Sequence, residues 1–538
     1  VHDTHHDIDP AVYARRKPIL VVLCISLMIV IIGNTALNVA LPRLARDLDA
    51  STTDLQWMVD SYALVFAGML FTAGTLGDRF GRKGALQAGL ALFLLGTGLA
   101  AISTSSSMVI GARALMGLAA AFVMPATLSI LTNVFPAHER PRAIAVWAGI
   151  AGGGAAVGPV ASGFLLEHFW WGSVFLVNVP VIIVALVAGK LLVPTSRDPE
   201  QPPLDVPGAL LSIVGLGALV YGIIEGPLHG WTSSSSLTIF AVAIVSLGLF
   251  ARRELRTEHP MLDLRLFRDR RFSVASGGMT MIFFAMFGTF FLVAQYFQLV
   301  LGYSALESGL FQLPMAFVMM GLSPQVPKLV ERFTAARVVP AGLLSVSIGL
   351  LLFSQVGVDT AIWWVYGPIL FLALGMVLTM TPLTTLIMSA VPLRQAGVGS
   401  AMNDTTRELG GALGVAVLGS VVTSNYGASL APSLQGLSAT DQGIANSGLV
   451  GAFNVGERLG AEGLAIIEAA KQAFVDGLSV AAVVGSITVA VAAVASWRLL
   501  PRPESTPDPL VDGGAAGEIP SQLDTDDVDD HRAPALAD

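Results

Sequence analysis

The sequence predicts an all-α polytopic membrane protein with fourteen spans, and three observations carry that expectation. Of 538 residues, 54% are hydrophobic and only 13% charged, with mean hydropathy +0.71, whereas a soluble domain carries about 25% charged residues. Apolar runs close to the ~20 residues needed to cross a bilayer follow one another with hardly a charge between them. The cations are also lopsided. Arg43, Arg46, Arg458 and Lys471 fall on one side, Arg113 and Arg407 lie inside spans, and the others gather on the opposite side. That bias predicts an even number of spans with both termini in the cytoplasm. A large soluble core is excluded.

The polar stretch 1–17 is a cytoplasmic N-terminus, and because the first apolar run is full length, no cleavable leader is expected. Spans at 18–42, 55–76, 84–104, 107–132, 141–164 and 173–193 make an N-terminal six-helix half, 18–193. Spans at 206–224 and 237–252 form an inserted pair, 206–252. Spans at 272–300, 305–326, 338–356, 362–388, 396–424 and 476–500 make the C-terminal half, 272–500. The connection 425–475 is long, and its end, Ala461–Val475, alternates apolar and charged residues at helical spacing. It predicts a separate helix lying along the outer interface. The tail 501–538 holds ten acids against Arg502 and Arg532, which accounts for the whole chain's net charge of −8. Its low apolar content predicts disorder.

An internal repeat supports two halves. Glu331-Arg332-Phe333, between spans 10 and 11, echoes Asp78-Arg79-Phe80, between spans 2 and 3. The same offset aligns glycine-rich span 5 with Gly410-Gly411-Ala412-Leu413-Gly414 in span 13. Transporters built from paired halves place their substrate site near the midplane. The lone Cys24 excludes an intrachain disulfide. Abundant Arg, Ala and Gly suggest a GC-rich bacterial genome.

The loop Gly77-Asp78-Arg79-Phe80-Gly81-Arg82-Lys83 joins two spans through a tight charged turn. It resembles the signature loop of the major facilitator superfamily. Arg113-Ala114-Leu115-Met116-Gly117, followed by Pro125, resembles the superfamily's span-4 motif, whose arginine is implicated in proton transfer. Gly149, Gly153, Gly158-Pro159 and Gly163 resemble the antiporter motif of exporters. Asp54-Leu55-Gln56-Trp57-Met58-Val59-Asp60-Ser61-Tyr62, Asn178-Val179-Pro180 and Gln298-Leu299-Val300-Leu301-Gly302-Tyr303-Ser304 narrow the resemblance to the fourteen-helix drug:proton antiporter family. It covers roughly residues 18–500. It implies two six-helix halves plus two inserted helices, alternating access, and export driven by protons.

Ionisable groups inside spans are functional candidates. Asp60 lies in span 2. Asp404, Arg407 and Glu408 lie in span 13, where Asp404 and Glu408, four apart, share a helix face. Asp60, Asp404, Glu408, Arg113 and Arg407 are the candidate proton-coupling set, although Arg407 also reads as a structural ion-pair partner. Span 1 ends Asn38-Val39-Ala40-Leu41-Pro42, as in the family, but Gly33 stands where the family has an aspartate, followed by neutral Asn34. That departure predicts a cavity with one charge fewer and a preference against dications. Span 9 carries Met279, Met281, Phe283, Phe284, Met286, Phe287, Phe290, Phe291 and Tyr296. Phe287 and Phe291 are taken as cavity residues, and a lipid-facing surface accounts for most of the others. Glu225 and Glu307 read as solvated boundary residues.

No nucleotide-binding loop is present, since Gly189-Lys190 is followed by Leu191, and no nucleophile motif marks an enzyme. His2, His5 and His6 lie on a floppy end, so no metal site is expected. The expected partners are small amphiphilic substrates, protons and lipids, without nucleic acid or cofactor, and the chain is expected to act as a monomer. The rival reading is a lipid or cell-envelope precursor translocase. A membrane receptor or enzyme is more distant.

Overall fold

The computed structural model describes residues 9–48, 50, 52–197, 205–257, 260–460 and 463–501. The first half comprises α1 (Pro10–Asp47), α2 (Thr52–Phe80), α3 (Arg82–Ala101), α4 (Ser106–Val134), α5 (Arg140–His168), α6 (Ser173–Leu176) and α7 (Asn178–Leu192). The inserted hairpin is α8 (Val206–His229) and α9 (Ser234–Glu254). The second half comprises α10 (Arg270–Gln295), α11 (Ala305–Leu310), α12 (Leu313–Leu322), α13 (Val326–Phe333), α14 (Ala335–Phe353), α15 (Ile362–Ala390), α16 (Ala396–Leu430), α17 (Ala439–Asn446), α18 (Leu449–Leu459) and α19 (Gly463–Leu499).

Local chemistry sets many of the starts. Asp9, Ser105, Asp205, Ser233 and Asp269 accept backbone N–H bonds at the N-termini of α1, α4, α8, α9 and α10. Ser304 and Glu307 form a capping box on α11, so Glu307 is a helix cap.

Among the described residues, thirteen helices are long and apolar enough to cross a membrane. The expected tenth span, 305–326, is a broken segment. Pro314 opens α12, a 3₁₀ turn spans Ser323–Gln325 around Pro324, and Pro327 opens α13. Proline lacks the amide hydrogen that would carry the helical ladder through such points. From Ala305 to Phe333 the broken segment still has as many residues as α2.

A second correction concerns the outer connection. The separate interfacial helix expected over 461–475 does not form. From Gly463 the chain enters α19, which runs unbroken for 37 residues. Ile466, Ala470, Ala473 and Phe474 form a buried face that continues through Gly477, Leu478 and Ala481 at helical spacing. The acidic tail beyond Pro501 and the N-terminal histidines lie outside the described residues.

The packing shows the repeat. In the first half α1 packs on α5, α3 on α4, and α3 on α7. Eight spans later, α10 packs on α16, α14 on α15, and α14 on α19. The halves meet where α2 packs on α16 and α5 on α12, a symmetric pair of contacts, while α8 lies against both α2 and α16.

The two echoing loops share a conformation. Arg79 lies over the Phe80 ring and Arg332 over the Phe333 ring, with guanidinium-to-centroid distances of 5.3 and 5.2 Å. The next residue turns left-handed in each, Gly81 at φ +119° and Thr334 at φ +67°. Glycine suits that turn, whereas a β-branched residue is strained there. Thr334→Gly should therefore raise stability by about 1 kcal/mol, relieved strain outweighing the added freedom of the unfolded chain. Gly81→Thr should lower it. Thermal unfolding of the detergent-solubilised protein checks both, and the opposite order would refute the assignment.

Candidate functional site

Three polar constellations lie within the helical bundle, and a fourth closes one end of it. The closing contact is built by the charged loop. Asp78 ends α2 and is buried, as is Arg82 at the start of α3. Arg82 Nε donates to Asp78 Oδ1 at 2.7 Å. Asp78 also accepts from the backbone N–H of Gly397, at 2.8 Å to Oδ2, and of Val398, at 3.2 Å. Both amides belong to the first turn of α16, in the other half. The N-cap residue of α16, Gln395, makes no side-chain cap bond of its own. Asp78 supplies that cap from across the interface, where the positive helix end favours a carboxylate. Arg82 Nη2 donates to the carbonyls of Leu393 and Arg394, at 2.8 and 2.9 Å. Gly74 makes the approach possible, since a Cβ there would lie 2.7 Å from the Gly397 carbonyl. The second loop does not repeat this charged pair. Glu331 is exposed and Ala335 stands where Arg82 would be.

On the same side, outside the spans, Glu139 precedes α5 and accepts a 2.7 Å hydrogen bond from Arg16. That bond holds the Glu139 carboxyl below its ordinary range.

The opposite side of the interface is formed by the α5 glycines. A Cβ at Gly163 would lie 3.1 Å from Leu306, and one at Gly153 would lie 2.6 Å from Met320 Sδ. Gly149 faces Ser323, whose hydroxyl donates 2.6 Å to the Ala145 carbonyl. Gly158 instead faces Thr35 of α1, inside its own half. Pro159 lies within α5 without ending it. The broken tenth span thus seats Met319 and Met320 against a surface bare of side chains.

The first internal constellation surrounds Arg113, which is fully buried. It donates to the carbonyls of Met58 and Gly33, both at 3.0 Å, and to Asn34 Oδ1 at 3.2 Å. Its guanidinium lies 4.4 Å from the Tyr62 ring centroid. Arg113 therefore ties α1, α2 and α4 together. Gly33 was expected to line a cavity, and the structure corrects this. A Cβ there would lie 2.7 Å from the Phe93 ring and 3.5 Å from Met116. Asn34 is engaged by Arg113.

The second lies in α16, whose Asp404 and Arg407 come about 12 and 16 Å along its axis from its start, near the middle of a bilayer core. Asp404 and Arg407 are 1% and 6% exposed. Arg407 Nη1 stands 3.6 Å from Asp404 Oδ1, close enough for an ion pair but beyond a hydrogen bond. Asn403 donates to Asp404 at 3.3 Å and takes a bond from Thr384. The guanidinium sits between the rings of Trp147, at 4.9 Å, and Phe283, at 5.3 Å. Among the described residues, Asp404 Oδ2 and Arg407 Nε and Nη2 have no hydrogen-bond partner. Each such buried atom costs about 1–3 kcal/mol. Glu408 is half-buried and within electrostatic reach of Tyr62 of the first half. Phe287 and Phe291, 39% and 45% exposed, run along the α10–α16 seam against Gly411 and Gly419. Met279, Phe283, Phe284, Met286 and Tyr296 are buried in the core, correcting the lipid-facing expectation.

The third pairs Asp60 with the inserted hairpin. Glu225 of α8 is the charged neighbour of Asp60. Trp57 stacks on Tyr221 at 5.9 Å. Glu225, expected at a solvated boundary, is 8% exposed. Sequence reasoning missed Trp147 and Glu225. Trp147 carried no motif, and Glu225 only its position near a span end.

The Major Facilitator Superfamily model matches residues 23–415, and the chain belongs to that superfamily. Its relatives include the multidrug efflux pump LfrA of Mycolicibacterium smegmatis, 37% identical over 88% of this chain and 94% of that protein. The multidrug resistance protein Stp of Mycobacterium tuberculosis is 34% identical, covering 90% of this chain and 92% of its own. The methyl viologen resistance protein SmvA of Salmonella typhimurium is 34% identical, covering 90% and 98%. Among solved structures, the human organic anion transporter MFSD10 superposes with a TM-score of 0.57 at 13% identity, over 88% of this chain and 99% of that one. That likeness supports the fold alone.

The geometry separates two neighbouring substitutions. Gly33→Asp forces a side chain into Phe93 and should destabilise by about 1–3 kcal/mol. Asn34→Asp sets a carboxylate on Arg113 and should leave stability equal or higher. Thermal unfolding of the two purified variants checks this, and the reverse order would contradict the placement.

Proposed function

We propose that this chain exports amphiphilic drugs and related small molecules across the bacterial cytoplasmic membrane in exchange for protons, by alternating access, with both termini cytoplasmic. The carrying observation is the Asp404–Arg407 pair, buried without full hydrogen bonding in a chain whose relatives over almost its whole length are drug efflux and resistance proteins. These relatives do not favour the rival lipid or envelope-precursor translocase.

A buried carboxylate in this setting is torn between desolvation, which favours its neutral form, and the neighbouring cation, which favours the charged one. Proton uptake at Asp404 cancels its attraction to Arg407 and leaves the guanidinium held by Trp147 and Phe283. Because Trp147 belongs to the first half and Arg407 to the second, a change in that pair bears on the contact between halves. Glu408 and Asp60 are further proton acceptors. Arg113 holds the α1–α2–α4 side. The proton gradient is the energy source, no cofactor is involved, and the chain works as a transporter rather than an enzyme.

In proteoliposomes holding the purified protein, a protonophore should abolish uphill dye transport while ATP remains available. Asp404→Asn should reduce proton-driven transport to background at normal membrane levels. Asp60→Asn should reduce it severely. Continued uphill transport with ATP and no proton gradient would contradict the proposal, as would normal coupling in both variants.

A further inference from the structure

The inserted hairpin carries no superfamily motif, yet it is packed against α2 beside an acid that the export reading uses. Between α2, α8 and α9 lies a groove of about 550 Å³, within the range of small-molecule sites. Leu64 and Gly68 line it from α2, Ile213, Gly217 and Tyr221 from α8, and Val242 from α9. Val242 is 43% exposed, so the groove opens on the outer surface of the bundle, where lipid lies.

Beyond one end of this apolar groove stand two acids, neither of them among its lining side chains, and helical spacing places them there. Asp60 is four residues before Leu64, one turn along the same face of α2. Glu225 is four residues after Tyr221, one turn along the same face of α8. The helices run in opposite directions, so both turns lead toward the same end. The two carboxylates are electrostatic neighbours, and the Trp57–Tyr221 stack stands beside them.

We propose that this groove captures amphiphilic organic cations entering sideways from the bilayer, with the apolar body between α2 and the hairpin and the cationic centre beside Asp60 and Glu225. The inference deepens the export reading and rests on it for the transport step after capture. Charge complementarity selects the occupant. Two carboxylates attract an organic cation, and π-faces add to that attraction. The same carboxylates repel the anionic headgroups of acidic phospholipids. Because Asp60 also serves as a proton acceptor in that reading, a bound cation and a proton compete for one carboxylate, which is the requirement for exchange. Glu225 is then a specificity residue supplied by the insertion.

The test is equilibrium binding of tetraphenylphosphonium to the full-length protein in nanodiscs of zwitterionic lipid. Gly217→Leu fills the groove, and a Cβ at Gly217 meets nothing within 4 Å, so the variant should fold. Glu225→Gln removes one charge, and Glu225→Asp restores it. Gly217→Leu and Glu225→Gln should each weaken binding about tenfold, the effect of roughly 1.4 kcal/mol, with Glu225→Asp close to the native chain. Unchanged affinity in both variants would overturn the proposal. So would a co-purifying phospholipid that Gly217→Leu displaces without altering probe binding. If both variants lose affinity but the native chain transports no cation, the capture site stands and the export reading fails.

Discussion

Asp78 caps a helix that belongs to the other half of the protein. The first amides of any α-helix lack internal partners, and α16 has no cap of its own. Its Gly397 and Val398 amides are satisfied by a carboxylate at the end of α2. Losing an N-cap costs about 0.5–2 kcal/mol, and breaking a buried ion pair costs about 3–5 kcal/mol. Arg82 makes the two terms inseparable, because the same guanidinium holds Asp78 and the carbonyls that precede α16. Opening this side of the interface exposes an uncapped helix and a charged pair together.

The midplane is organised on the opposite principle. At the interface end Asp78 and Arg82 pair at 2.7 Å and hydrogen-bond to the other half, whereas in α16 the Asp404–Arg407 pair stands at 3.6 Å with donors and an acceptor unfilled among the described residues. Full satisfaction would lock the pair, and the aromatic clamp of Trp147 and Phe283 keeps the cation in place without supplying hydrogen bonds. The glycines of α5 offer the broken tenth span few side chains to interlock with.

Much of this was legible in the sequence. Span positions came from run length, the closing loop from its charges and glycines, and the α16 acids from the cost of ionisable groups in lipid. The features that escaped did so for physical reasons. Proline marks a break only when its neighbours cannot compensate. Pro125 and Pro159 sit inside intact helices, while Pro314, Pro324 and Pro327 accompany the divided tenth span. The charged residues of 461–475 suggested an interfacial helix, but its apolar face continues that of α19. Gly33 could be placed by motif, but which way its missing side chain would point depended on Phe93, sixty residues away in sequence. Trp147 and Glu225 gain meaning only from partners on other helices.

The central claim is that the Asp78 cap holds this end of the interface shut. Gly84 and Pro392 are exposed on opposite sides of that contact. Spin labels on cysteines at these positions, in a chain with buried Cys24 replaced by serine, report the separation by double electron–electron resonance. The account predicts a dominant short distance in the native background and a shift of population to longer distances on Asp78→Asn. An unchanged distance distribution in that variant would contradict it.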